Sequence, residues 1–217
     1  MTLRVEPAHN EDLIKIVPII FDAYAGKHPY INAVFPNNLT EDGQEKALKR
    51  IIGIGASSET SQWEKVVDTA TDQIIGAAMW LIYREKKPEA HHLDGPDGTW
   101  DSDADKEYAQ QLYKSYAAEE QAFWNSNHLP LMSINAMVVL RKHQFRGAAS
   151  LLMKSGLKMA DEVGAACIVI STDEARWLYE KAGFVVDKHV TLPVPEKFAD
   201  RPKVRFFYMH RDRRAPE

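Results

Sequence analysis

Residues 144 to 156 read QFRGAASLLMKSG, a polar turn that runs into an apolar helix. Gly147, Ala148 and Ala149 stand where a helix usually has a capping side chain. The first turn of a helix has backbone N–H groups without intrahelical partners and a partial positive charge, a combination that binds phosphate. Small residues let a ligand come close to those groups. Arg141, Lys142, His143 and Arg146 add positive charge in the same turn. Two readings fit these residues. Either the missing cap is replaced by a ligand's phosphates, or the small residues let the helix pack tightly on a sheet and the basic side chains are solvated surface. A nucleotide P-loop would need G-x-x-x-x-G-K-[ST] and a dinucleotide fold G-x-G-x-x-G; the chain has neither.

Other reactive residue types offer less. Cys167, the only cysteine, lies in the apolar run AACIVIS, which predicts a buried structural thiol rather than a nucleophile and rules out a disulfide framework. His91 and His92 stand among aspartates, but adjacent loop histidines are not a closed ligand set and no Cys or His spacing supports zinc, so no metal is expected.

The elements that must position the phosphate turn follow from periodicity. LRVEPA predicts a first strand, and Leu13, Ile16, Val17, Ile20 and Tyr24 recur at helical spacing behind a cap at Asn10, with a bend at Pro18. HPYINAVFPNN reads as a loop or broken helix, and Thr40 opens a second helix. EKVVDTATDQIIGAAMWLIYRE predicts a hairpin, with Gly76 marking a bulge. Residues 86 to 105 carry Pro88, Gly95, Pro96 and Gly98 among aspartates, a long acidic loop too polar to pack a core. A helix from Lys106 follows, with Tyr108, Leu112, Tyr116, Ala117 and Phe123 near one face. LPLMSINAMVVL then predicts a central strand, followed by the phosphate turn, a helix of about 17 residues, the strand CIVIS and a short helix ended by Gly183. FVVDKHVTLPV and KVRFFYMHR are two more strands. The order predicts one mixed α/β (α+β) domain over residues 1–217, with helices on both faces of a central sheet.

With 27 Lys and Arg against 31 Asp and Glu, the net charge of −4 offers no broad field for nucleic acid, so no nucleic-acid partner is expected. No run approaches the roughly 18 apolar residues that span a bilayer and the first residues do not resemble a leader, which predicts a soluble cytoplasmic protein with no membrane partner, nuclear entry being left open.

The six residues Gln144, Phe145, Arg146, Gly147, Ala148 and Ala149 resemble the acyl-CoA signature Q/R-x-x-G-x-G/A of the GNAT superfamily of N-acetyltransferases. MVV stands where that family has L-x-V on the preceding strand, and WLYEKAGF stands where it has its downstream Y-x-x-x-G-F element. The resemblance covers residues 130 to 186, is nearest to fungal-type members, and makes the segment from about 86 to 128 an insertion before the central strand. It implies a GNAT fold with the sheet splayed at the acyl-CoA site, and acetyl-CoA as acyl donor. It further implies that the backbone of Met137 and Val139 pairs with the pantetheine arm, that the N–H groups of Gln144 to Ala149 hold the pyrophosphate, and that Lys142 or Arg146 meets the 3'-phosphate. Tyr179 matches the tyrosine placed near the thioester sulfur, where it protonates or hydrogen-bonds the leaving thiolate. Thr172 stands where many members have a cofactor-binding asparagine, and Arg141 where a proline is frequent.

Many members carry a glutamate on the central strand as general base. HLPLMSINAMVV has no carboxylate; His128 and Ser133 are nearest, with His28, His91, His92 and the acidic loop more distant, or a water chain removes the proton. The expected activity is acetyl transfer to the primary amine of a small molecule by direct attack in a ternary complex. A protein or histone lysine acetyltransferase and a non-catalytic CoA-binding sensor are the alternatives. YAGKHPYINAVF, with Trp100, Tyr108, Tyr116 and Trp124, would wall an apolar or aryl amine, whereas the acidic loop would suit a cationic one such as a polyamine. A homodimer is the expected assembly, if any, through the last two strands taken as sheet edges.

Overall fold

The computed structural model describes residues 2–56, 60–89 and 92–214, with the side chains of 54–56 left aside. His91 thus lies outside the described residues. In chain order the elements are β1 (Leu3–Ala8), α1 (Leu13–Tyr24), α2 (Pro29–Val34), α3 (Glu41–Ala56), β2 (Ser61–Asp68), β3 (Gln73–Tyr83), α4 (Asp103–Ser126), β4 (Leu131–Val139), α5 (Ala148–Glu162), β5 (Ala166–Ser171), α6 (Arg176–Lys181), β6 (Val185–Thr191) and β7 (Arg205–Arg211). The seven strands form one sheet in the order β1-β2-β3-β4-β5-β7-β6, a mixed α/β arrangement in which only β4 and β5 run parallel.

Side-chain alternation along the strands divides the core between the two faces of the sheet. On β7, Phe207 and Met209 join the cluster under α5 and α6, while Phe206 and Tyr208 join the cluster under α2 and α4. Leu13, Ile16, Val17, Ile20 and Phe21 of α1 pack with Ala77 of β3 and Val138 of β4 on that second face. The helices therefore cover both faces, as the pattern of elements predicts.

Four local expectations change. The segment before α4 does pack a core: Leu93 and Thr99 are buried, and the Trp100 Nε1 donates to the Ala33 carbonyl at 2.9 Å. The helix itself begins at Asp103, capped by Ser102, whose Oγ accepts from the Asp105 N–H at 3.2 Å. Asp103 and Asp105 thus sit in the first turn, where a negative charge is favoured by the helix dipole. At α1, the capping is done by His9 and Asp12 around a 3-10 turn rather than by Asn10. β7 is not an edge: it lies between β5 and β6, leaving β1 and β6 at the margins.

Two glycines show what close packing demands. A Cβ on Gly156 would fall 2.4 Å from the ring of Trp80, which is fully buried and anchored by its Nε1 bond to Glu64 at 2.8 Å. A Cβ on Gly53, exposed on α3, meets nothing within 4 Å. Gly156→Ala is therefore expected to lower stability by about 1–2 kcal/mol, overpacking outweighing the gain in helix propensity. Gly53→Ala should raise it by about 0.5–1 kcal/mol. Chemical denaturation of both variants checks this, and a Gly156→Ala protein as stable as the wild type would refute the packing argument.

Candidate active site

The sheet opens at β4. Met79 pairs with Ala136 but Trp80 pairs with Ile134, so Asn135 is an extra residue without a partner on β3. The bulge reverses the alternation: Met132 and Ile134 face the α5 side before it, Met137 and Val139 after it. β4 pairs with β5 only from Leu131 to Ile134, while β5 continues beside β7 to Ser171. Beyond Ile134 the two parallel strands part.

The backbone of β4 faces that gap. Leu140 N–H donates to the Ile75 carbonyl on β3 at 2.9 Å, so the two-residue alternation turns the N–H and C=O of Met137 and Val139 the other way, toward β5. The Val139 carbonyl accepts from Gln144 Nε2 at 3.1 Å, which ties the phosphate turn to the end of the strand.

The turn ends in an uncapped helix. Gly147 is the N-cap of α5 at φ +89, with no side-chain cap, and Phe145 is also left-handed at φ 60 and 90% exposed. Gln144 N–H is already spent on the Arg141 carbonyl at 3.2 Å. The N–H groups of Phe145 to Ala149 have no acceptor among the described residues, which narrows the expected set of phosphate donors by one. A Cβ on Gly147 would meet nothing within 4 Å, so the space before these donors is open. Asp22 of α1 accepts from the Arg141 N–H at 2.8 Å and pairs with its guanidinium at 3.3 Å, which fixes the turn to α1. Lys142 and Arg146 have no carboxylate partner among the described residues; Arg146 lies 3.2 Å from His143 Nδ1.

Tyr179 comes from α6 on the β5 side of the gap. It is buried, packs edge-on to Phe184 at 5.8 Å, and burial first, then the nearby Tyr24 phenol, push its hydroxyl well above the usual tyrosine range. That hydroxyl has no hydrogen-bond partner among the described residues, and it stays protonated across the physiological range. Thr172 lies just beyond β5, its carbonyl accepting from Ser171 Oγ at 2.8 Å. Cys167 is buried in the sheet and its thiol is pushed up to about 11, mainly by burial, consistent with a structural role.

Across the gap an aromatic wall continues from Tyr24. His28 packs on Tyr24 with ring centres 5.4 Å apart and stacks on Phe206 at 5.3 Å. Phe206 in turn meets Tyr30 and Tyr116, each at 5.5 Å, and those two tyrosines stack at 4.9 Å. Burial lowers the His28 pKa below the ordinary histidine value, so the ring is neutral at pH 7. His128 and His92 are exposed, and His128 sits at the end of β4 remote from the bulge. Neither comes near Tyr179's end of the gap.

A carboxylate absent from the strand's own sequence reaches it from α4. Glu120 accepts a short hydrogen bond from the hydroxyl of Ser133, which points to the α4 side of β4 two residues before the bulge. Burial raises its pKa above the usual carboxylate value. Sequence spacing alone hides this residue, because it lies 13 positions before its strand partner on a different element. Two carboxylates of the acidic segment are already paired, Asp94 with Lys106 and Asp105 with Arg201, each at 2.8 Å.

Among the described residues no group of three or more His, Cys, Asp or Glu is placed to hold a metal ion, and no helix is long and apolar enough to cross a membrane.

Comparison with known proteins agrees with this geometry. The acetyltransferase (GNAT) domain family matches residues 104–192, from the start of α4 to just past β6. A search of curated proteins finds no match. The C-terminal condensation domain of Ebony in complex with beta-alanyl-dopamine superposes with a TM-score of 0.68 at 16% identity, covering 98% of this chain and 99% of that one. Arylalkylamine N-acetyltransferase 2 from Aedes aegypti gives 0.65 at 13% identity, with 98% and 99% covered. A GNAT superfamily phosphinothricin acetyltransferase from Sinorhizobium meliloti in complex with AcCoA gives 0.57 at 13%, with 98% and 89% covered. The chain therefore has the fold of GNAT-type N-acetyltransferases, and its residues 104–192 match the acetyltransferase (GNAT) domain family.

Proposed function

We propose that the protein transfers acetyl from acetyl-CoA to the primary amine of a small molecule, by direct attack in a ternary complex. The observation that carries this reading is the gap between β4 and β5, which ends on the uncapped N-terminus of α5. An extended pantetheine arm would add to β4 as a strand, using backbone groups of Met137 and Val139. The pyrophosphate would lie on the N–H groups of Phe145 to Ala149, with Gln144 holding the turn through its side chain, and Lys142 or Arg146 near the 3'-phosphate. Thr172 would offer its hydroxyl from the β5 side, and Tyr179 would donate to the sulfur.

A ternary complex is favoured because the only thiol, Cys167, is buried and pushed away from thiolate, leaving no nucleophile of that kind for a covalent acyl intermediate. A small acceptor is supported by the likeness to enzymes whose names specify arylalkylamines and phosphinothricin.

Calorimetric titration of acetyl-CoA into the protein, followed by an assay of free thiol against a panel of amines, tests the proposal. Micromolar binding with thiol release on one amine class is the expected result. Folded protein that fails to bind acetyl-CoA would sink it, and binding without release on any amine would favour a CoA sensor.

A further inference from the structure

Glu120 is the part-buried carboxylate on the α4 side of the gap. Its neighbour Glu119 is taken by Lys188, and Glu174 is exposed on the β5–α6 loop. One Glu120 oxygen accepts from Ser133; the other, Oε2, has no donor among the described residues and is not sealed from solvent. Aromatic rings surround it. Tyr113 and Tyr116 flank it on α4, Tyr30 approaches from α2, Tyr83 from β3 and Tyr208 from β7, each near enough for Glu120's charge to bear on its phenol. A free carboxylate oxygen within aromatic rings matches a primary ammonium: the charge pairs with the oxygen, and the ring faces favour both the cation and an attached aromatic group.

The same wall reaches the proposed thioester site. It runs from Tyr116, one turn before Glu120 on α4, through Phe206 to His28 and Tyr24, whose phenol is near enough to bear on that of Tyr179. His28, neutral at pH 7, offers no charge to hold an ammonium.

We propose that Glu120, presented to Ser133 by α4, binds the ammonium of the acceptor and takes its proton, and that the surrounding tyrosines select an amine carrying an aromatic ring. This rests on the transferase reading above. The ammonium gives one proton to the Glu120 carboxylate, and the neutral nitrogen attacks the thioester carbonyl carbon. As the C–N bond forms and the C–S bond breaks, the second nitrogen proton passes to the sulfur, which leaves as free thiol under a hydrogen bond from the Tyr179 hydroxyl. The proton on Glu120 returns to solvent, so one amide, one thiol and one proton are formed.

The test compares wild type, Glu120→Gln and Ser133→Ala by calorimetry with 2-phenylethylamine and n-hexylamine in the presence of CoA, and by thiol release with acetyl-CoA. Wild type should bind 2-phenylethylamine more tightly than n-hexylamine. Glu120→Gln should bind acetyl-CoA as wild type does, bind 2-phenylethylamine at least about tenfold more weakly, and turn it over about 10²–10⁴-fold more slowly, the range for loss of a general base. Ser133→Ala, which keeps the carboxylate but removes its donor, should show a smaller loss and serves if Glu120→Gln does not fold. Equal amine binding and turnover in wild type and Glu120→Gln, or no amine binding by wild type, would overturn the proposal. Failure to bind acetyl-CoA would instead overturn the transferase reading, so the two failures are told apart.

Discussion

Tyr179→Phe is expected to lower kcat by roughly 10²–10³-fold, the loss seen when one donor to developing negative charge is removed, while acetyl-CoA affinity is unchanged. The substitution removes only a hydroxyl from a ring that is already buried, packed on Phe184 and free of internal hydrogen bonds, so neither the fold nor the gap has reason to change. Its environment also shapes the role. Burial and Tyr24 hold the phenol above its ordinary value, which makes it a hydrogen-bond donor to the departing sulfur that keeps its proton. The rate should therefore show no fall near pH 10, the ordinary phenol value, because the hydroxyl is still protonated there. Steady-state kinetics of the two proteins across pH, with calorimetry for the cofactor, decide it. An unchanged kcat, or a loss that appears only as weaker acetyl-CoA binding, would remove Tyr179 from the chemistry.

Much of the half proposed to hold acyl-CoA was legible in the sequence as structure, and for a local reason. Strand, turn, helix and strand from Leu131 to Ser171 follow one another without long excursions, and each is marked by residues whose spacing has one physical meaning. Gly147 announces a helix start without a cap, and its φ of +89 shows why glycine stands there. The proposed amine half was hidden because it is assembled from distant segments. Tyr30, Tyr83, Tyr208 and the α4 pair Tyr116 and Glu120 come from four elements, α2, β3, β7 and α4, and no periodicity links one element to another.

Two misreadings have the same origin. Counting aspartates, prolines and glycines in residues 86 to 105 predicts a loop too polar to pack a core, yet Leu93 and Thr99 are buried there, and Gln110 Nε2 bonds the Leu93 carbonyl at 3.0 Å. Composition averages over a segment, whereas burial is decided residue by residue. Likewise the sequence reading takes both of the last two strands as sheet edges, which holds for β6 alone. β7 instead enters between β5 and β6, and its alternating Phe206, Phe207, Tyr208 and Met209 serve both faces of the sheet, a pattern expected of an interior strand.

Gly147→Trp should weaken acetyl-CoA binding by at least about 10²-fold, the effect of withholding several charge-assisted phosphate contacts at once. A Cβ there meets no protein atom within 4 Å, so the added side chain starts in open space before the α5 N-terminus, where the indole would compete with the proposed phosphates. It also forces an L-residue into the left-handed region at φ +89, a strain of about 1–2 kcal/mol that lowers stability independently of any ligand. Gly147→Ala separates the two effects. It carries the same backbone strain with only a methyl group in the cradle, so its midpoint of unfolding should fall like that of the Trp variant while it keeps most of its affinity. Calorimetry and denaturation of both variants give four numbers for two causes. If the folded Trp protein binds acetyl-CoA as tightly as the Ala protein, the helix N-terminus does not hold the phosphates, and Gly147 is there for the turn alone.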